Sequence, residues 1–254
     1  MERALYGPGG FFTAGPGPAA HFRTSVTASP LFAAAVARLV EWVDVALGRP
    51  ERLEIVDVGA GRGELLLRLA ETLPRERCRF VAAERAPRPP GLPKFIEWYA
   101  DPPASVTGVL LATEWLDNVP VEVVERDAGG GWRQVLVEPE TGAEELGAAP
   151  AGADGEWLAR WWPEGRRAEV GLSRDEAWAA AVGTLRRGLA VTVDYGHLRA
   201  ERPPDGSLTG YRDGRQVPPL LDGSTDLTAH VAIDSARAAG EQAAGAAATL
   251  TDQR

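Results

Sequence analysis

The stretch VDVGAGRGE (56–64) places Gly59, Gly61 and Gly63 directly after the apolar run RLEIVDV (52–58). A short apolar run between turn signals reads as a strand buried on both faces. Glycines at its carboxyl end let the backbone turn sharply and let a ligand approach main-chain N–H groups at the start of the next helix. This commits the chain to a β-α-β unit. GELLLRLAETLP (63–74) supplies the helix, stopped by Pro74, and CRFVAAE (78–84) the second strand, about the size of a right-handed crossover. Further strands are expected at KFIEW (94–98), GVLLAT (108–113) and LAVTVDY (189–195). Strands alternating with helices predict an α/β fold, a mostly parallel sheet with helices on both faces.

Residues 1–28 are rich in Gly, Pro and Thr, lack periodicity and read as an irregular arm. A helix follows, with Ser29 as cap, Pro30 in its first turn, apolar residues at helical spacing and Gly48 as its end. VEVVERDAGGGWRQVLVE (121–138) alternates around a Gly-rich turn and predicts a hairpin. Residues 139–155 read as loop, and 173–188 as a helix with Ser173 and Glu176 as capping box and Gly188 as terminator. The expected organisation is residues 1–50 as an arm and helix covering the site, 51–120 and 188–254 as the core, and 121–187 as an insertion before the fifth strand.

The 254 residues suffice for one domain with a sizeable insertion, and the net charge of −9 argues against nucleic acid as partner. Cys78 is the only cysteine, so no disulfide framework or thiolate metal site is expected, and a reducing, cytoplasmic setting fits. The N-terminus MERALYGPGGFF has no basic region followed by a long apolar run, and no apolar stretch is long enough to span a membrane. His21, His197 and His230 are too far apart in sequence for a local ligand pair, and no metal is expected.

The glycine turn marks a nucleotide-type crevice, with Asp57 at the end of its strand. Its G-x-G-x-G spacing differs from the G-x-G-x-x-G of dinucleotide enzymes and is the form seen in Rossmann-like S-adenosylmethionine-dependent methyltransferases. Glu84 closes the second strand, where a carboxylate can accept from both hydroxyls of an adenosine ribose. No G-x-x-x-x-G-K-[ST] and no G-x-S-x-G occurs, which leaves the P-loop NTPase and serine hydrolase readings without a foothold.

LATEWLDNVP (111–120) emerges at the same edge of the sheet and brings Thr113, Glu114, Asp117 and Asn118. Carboxylates three positions apart face the same way and suit a cationic or amine-like nucleophile; a plain acidic helix start is the alternative. TVDYGHL (192–198), GSLTGYRDGRQV (206–217) and DLTAHV (226–231) add Asp194, Tyr195, Tyr211 and His230 as substrate-side candidates, each with a structural alternative, including Asp226 as a cap. Trp157, Trp161 and Trp162 could line an aromatic pocket or form a packed patch.

Taken in order, YGPGGFFTAGPGPAAHFRTSVTASPLF (6–32), VDVGAGRGE, TEWLDNVPV (113–121), VDYG (193–196) and the segments at 206–211 and 226–231 resemble the MidA-like family of class I S-adenosylmethionine-dependent methyltransferases, which includes the mitochondrial complex I assembly arginine methyltransferase. The resemblance spans most of the chain. It implies a Rossmann-like fold, S-adenosyl-L-methionine held by Asp57, Gly59, Gly61, Gly63, Glu84 and Thr113, an arm around Thr24 and Ser25 covering it, and Glu114 and Asp117 facing the acceptor. Thr113 stands where the family has asparagine. A protein arginine is the implied acceptor; a small-molecule O- or N-methyltransferase and a non-catalytic assembly protein on the same scaffold are the alternatives. Methyltransferases of this class finish with an antiparallel strand pair, whereas AAGEQAAGAAATLTDQR (238–254) reads as a helix and one further strand, so the sheet is expected to lack its last strand and expose an edge.

Overall fold

The computed structural model describes residues 1–14 and 29–252. The chain opens with two short helices, α1 (Glu2–Tyr6) and α2 (Phe11–Ala14), where the sequence reads as an irregular arm. Tertiary burial overrides the local Gly and Pro signals, because Ala4, Leu5 and Phe11 pack against Leu227 in a core of their own. The next helix, α3 (Pro30–Ala46), begins as expected, with the Ser29 hydroxyl accepting from Leu31 N at 3.1 Å.

The crossover unit follows as β1 (Leu53–Val58), α4 (Glu64–Thr72) and β2 (Cys78–Ala83), then β3 (Ile96–Tyr99) and β4 (Val106–Thr113). The chain next makes a 3-10 turn, Leu116–Asn118, and enters the insertion. This comprises β5 (Glu122–Arg126), β6 (Trp132–Val137), β7 (Glu144–Leu146), α5 (Ala153–Trp161) and β8 (Arg167–Val170), with sheet order β7-β6-β5-β8, all antiparallel. The expected 121–138 hairpin is β5–β6. Residues 144–146, read as loop, instead pair with β6, where Arg167 holds Glu144 at 2.6 Å.

Helix α6 (Leu172–Gly183) then leads into β9 (Leu185–Val193), closing a sheet of order β3-β2-β1-β4-β9 in which every pairing is parallel. Two expectations fail at this junction. The Ser173 hydroxyl donates to Pro120 O at 2.5 Å rather than capping the helix, and Gly188 lies inside β9 instead of ending α6. Sheet packing explains the glycine: a Cβ at Gly188 would stand 1.8 Å from the carbonyl oxygen of Gly108 on β4.

The remaining elements, β10 (Gly196–His197), β11 (Thr209–Arg212), β12 (Arg215–Val217), β13 (Asp226–Thr228), β14 (Val231–Ala232) and α7 (Ile233–Ala244), lie beyond β9. Strands β12-β11-β13 form a small sheet above the core. Among the described residues no strand follows α7, so the further strand expected near the end is absent there and β9 stands at the edge of its sheet.

Successive strand residues face opposite ways, and the core therefore has two layers. Ile55 and Phe80 pack with Val36 and Val40 of α3 and Leu66 and Leu69 of α4. Val56 and Val81 pack on the other face with Trp178 and Val182 of α6 and Ala236 of α7. The insertion has its own core, in which Trp157 and Trp162 are buried with Val124 and Val170. The tryptophans are thus the packed patch of the two readings, and Trp157 Nε1 ties the insertion to the body by donating to Asp175 Oδ2 at 2.7 Å and Ser235 Oγ at 2.9 Å. No helix among the described residues is long and apolar enough to cross a membrane.

Candidate functional site

A cavity of about 690 Å³ opens where β1, β2 and β4 end, and its walls carry both constellations that the sequence singles out. At one end lies the glycine turn. Gly59 has φ +69° and a Cβ there would stand 2.4 Å from the Trp115 ring, so glycine alone permits both the turn and the indole packed across it. Gly61 N donates to Glu84 Oε2 at 3.0 Å, and Ala86 N to Glu84 Oε1 at 2.8 Å. Burial raises the Glu84 carboxyl, opposed by these two N–H groups. Asp57 lines the same end; its carboxyl is pushed up to about 8 by burial and then by the charges of Glu84 and Glu64. Gly63 is not on the wall. With φ +84° it starts α4 beneath Leu92, a correction to its expected place among the cofactor contacts.

The loop after Glu84 forms a second wall with Asp101 and Pro102. Its shape is set by Pro87, Pro89 and Pro90 and by Arg88, which donates to the carbonyls of Ile96 (2.7 Å), Leu92 (3.0 Å) and Pro93 (2.9 Å). Ala177 and Ala180 of α6, with Thr184 just after it, contribute a third wall.

At the other end Thr113, Glu114, Asp117 and Asn118 reach the cavity as expected. Glu114 adopts φ +50°, a left-handed conformation uncommon for a non-glycine residue, and donates its N–H to Val193 O at 2.8 Å. Asp117 is 7% exposed: its Oδ2 accepts from Thr228 Oγ1 at 2.6 Å, whereas Oδ1 is buried without a partner. Burial raises its carboxyl, against the Thr228 hydroxyl and the charge of Arg174.

Arg174 is the structural centre of this end. It is fully buried and donates to four backbone carbonyls, Val119 (3.1 Å), Ala229 (2.8 Å), His230 (3.1 Å) and Asp117 (2.5 Å). Burial pulls its guanidinium down while Asp117 and Asp194 oppose that shift. The acidic turn is thereby clamped to the 229–230 segment by a residue of α6.

The substrate-side candidates separate. Asp194 does not line the cavity; it lies under the acidic turn, where its carboxylate accepts from Leu116 N (2.9 Å), Asp117 N (3.3 Å) and Tyr195 N (2.9 Å), and burial together with Asp117 raises it well above the usual carboxylate range. Tyr195 is exposed beside the acidic turn, its hydroxyl raised by burial and by Glu114, Asp117 and Asp194. Tyr211 and His230 are also absent from the wall. The His230 ring faces His197 at 6.3 Å, and His197 Nδ1 lies 2.8 Å from Arg202 Nη1. Thr24 and Ser25 lie outside the described residues.

Residues that the sequence did not mark also contribute. Tyr6, Phe12 and Thr13 line the cavity from α1 and α2. Tyr6 donates to Asn118 O at 3.4 Å, stacks on Phe12 and lies under the Arg85 guanidinium, which Glu2 holds at 2.6 Å. Burial, then the charge of Glu84, raises its hydroxyl well above the usual range. Asp226, 2% exposed, lines the cavity beside Asp117. Asp226, read from the sequence as a cap, opens β13 instead; for Tyr6, Phe12 and Thr13 the only sequence signal was their place in the ordered motifs.

The family model described as "Putative S-adenosyl-L-methionine-dependent methyltransferase" matches residues 35–251. A crystal structure from Burkholderia thailandensis bound to S-adenosyl-homocysteine superposes with a TM-score of 0.76 and 26% identity, over 96% of this chain and 70% of that one. A second, native structure from the same organism gives 0.74 and 28%, over 96% and 69%. No curated protein matches the chain. The site fits such a group: the open turn at Gly61, where a Cβ would meet nothing nearer than the Glu64 carboxylate at 3.5 Å, leaves room for a ligand, and the carboxyls of Asp57 and Glu84 suit ammonium and ribose hydroxyl donors. The chain therefore belongs to this S-adenosyl-L-methionine-dependent methyltransferase family, with S-adenosyl-L-methionine as its cofactor.

Proposed function

We propose that the protein methylates arginine side chains of a protein substrate in the cytoplasm, as its resemblance to the MidA-like family implies. The observation that carries this reading is the buried carboxyl of Asp117, its Oδ1 unpartnered, on the wall of the same cavity as the glycine turn and Glu84. An anionic recess with an unsatisfied acceptor suits a guanidinium, whose N–H donors form a planar fork. Trp157 and Trp162 are buried inside the insertion and do not line the cavity, which leaves less support for a small-molecule acceptor held between those indoles.

S-adenosyl-L-methionine supplies a methyl group already activated on a sulfonium, so the chain's work is positioning and exclusion of water. Glu114 and Asp117 hold the guanidinium and draw its positive charge toward the nitrogens they contact, leaving the remaining nitrogen's lone pair free to attack. A C–N bond forms as the C–S bond breaks. The proton displaced from the methylated nitrogen passes to Asp117, whose proton affinity burial has raised. Prior deprotonation is unnecessary, in keeping with the high pKa of arginine.

The test is to incubate the protein with methyl-labelled cofactor and a protein extract and hydrolyse the products. Label should appear in methylated arginine; label in lysine or in the small-molecule fraction would refute this acceptor.

The buried carboxyls add a pH dependence. Asp57 and Asp226 have folded-state values of about 8, raised mainly by burial, against 3.8 unfolded. At these two groups the folded chain holds protons that the unfolded chain releases, so their contribution to stability is fully present below the unfolded value and is lost as pH rises from about 4 to 8. A cation in the cavity favours the ionised carboxyls and expels those protons. Calorimetry at pH 7 in buffers of different ionisation enthalpy should show more proton release with S-adenosyl-L-methionine than with the neutral-sulfur S-adenosyl-homocysteine; equal release would contradict the electrostatics.

A further inference from the structure

Asp226 opens β13, and its placement follows from how that strand meets the acidic turn. Alternate residues of β13 share a face. Asn118 Nδ2 donates to Asp226 Oδ1 at 3.0 Å and to Leu227 O at 3.2 Å, while Thr228 Oγ1 donates to Asp117 Oδ2 at 2.6 Å. Two carboxyls from segments more than 100 residues apart are therefore locked side by side, each through one oxygen. Asp117 Oδ1 is buried and unpartnered, and Asn118 holds Asp226 through Oδ1, leaving Oδ2 for a ligand.

Burial and the negative charges of Asp117 and Glu114 push the Asp226 carboxyl up to about 8. Tyr6 closes the recess from α1 through its bond to Asn118 O. Arg174 donates to four carbonyls around the turn and its charge opposes the burial of Asp117, whereas at Asp226 burial is opposed by the hydrogen bond from Asn118. Two carboxyls held in one recess are costly unless they are protonated or bind a cation. A planar fork of N–H donors can bridge both, whereas a neutral hydroxyl or amide leaves their charge uncompensated.

We propose that Asp226 is a specificity-determining residue of the acceptor site, which with Asp117 forms a two-carboxylate recess that selects a guanidinium over neutral acceptors. This inference rests on the arginine methyltransferase reading.

The test titrates Nα-acetyl-L-arginine amide into the full chain saturated with S-adenosyl-homocysteine, comparing wild type with Asp226→Asn. Asparagine keeps an oxygen for Asn118 and removes only charge, so the fold is retained, which the thermal midpoint checks. Binding of the probe is expected to weaken by about 10-fold or more, the scale of one charge-assisted contact, with S-adenosyl-homocysteine affinity unchanged. Unchanged probe binding would overturn the role of Asp226 while leaving the methyltransferase reading intact, and an equal loss of S-adenosyl-homocysteine would overturn it as a general structural effect. A wild-type protein that takes S-adenosyl-homocysteine but not the probe would overturn both this inference and the arginine acceptor; failure to take S-adenosyl-homocysteine would remove the methyltransferase reading and this inference with it.

Discussion

Replacing Arg174 by methionine is expected to lower the unfolding free energy by about 3–5 kcal/mol, the scale for breaking a buried charge arrangement by removing one partner. Methionine approximates the stem but offers no donor, so the carbonyls of Asp117, Val119, Ala229 and His230 lose their side-chain partner. Asp117 and Asp194 also lose the positive charge that opposes their burial. Against a typical total of about 5–15 kcal/mol this is a large fraction, readable as a fall in the urea midpoint. Lysine should recover less than half, because a single ammonium has three donors and cannot span four carbonyls. A methionine variant with the wild-type midpoint would show that the guanidinium does not hold the acidic turn.

Glu84→Gln should weaken S-adenosyl-homocysteine binding by about 100-fold, which is about 2.8 kcal/mol at 1.4 kcal/mol per decade. The carboxylate uses one oxygen for Gly61 N and the other for Ala86 N, so both oxygens already face donors. A glutamine must turn its NH₂ toward one of those N–H groups, which repels, and it can accept less from the ribose hydroxyls. Two charge-assisted hydrogen bonds at about 1.5–3 kcal/mol each make the expected loss reasonable. Because burial already raises this carboxyl, removing its charge should leave the fold stable. Calorimetric titration of the variant decides the matter: an affinity within a few-fold of wild type would place the ribose elsewhere.

Features carried by local chemistry were legible in the chain. Ser29 before Pro30 marked the start of α3 because capping is a contact between neighbours, and the apolar runs at 52–58, 78–84 and 108–113 marked strands that the structure places at Leu53–Val58, Cys78–Ala83 and Val106–Thr113. Gly59 and Gly61 were legible because a tight turn after a strand has few solutions. The failures share a different cause. Gly188 resembles a helix terminator until β4 is brought against it, and Ser173 resembles a cap until Pro120 offers a carbonyl. In each, a partner more than fifty residues away decides what the residue does.

The sequence by itself determined the α/β class, the β-α-β unit and the glycine turn facing a carboxylate at the end of the second strand, since each rests on periodicity or on steric rules that act within a few residues. Only the tertiary structure decided which polar residues meet the cavity. It drew Asp194 beneath the acidic turn as a backbone acceptor, buried Arg174 as a clamp, and brought Tyr6 and Asp226 from opposite ends of the chain to the same recess. The physical reason is that burial, long-range hydrogen bonds and the field of neighbouring charges belong to the packed arrangement, and no residue carries them alone.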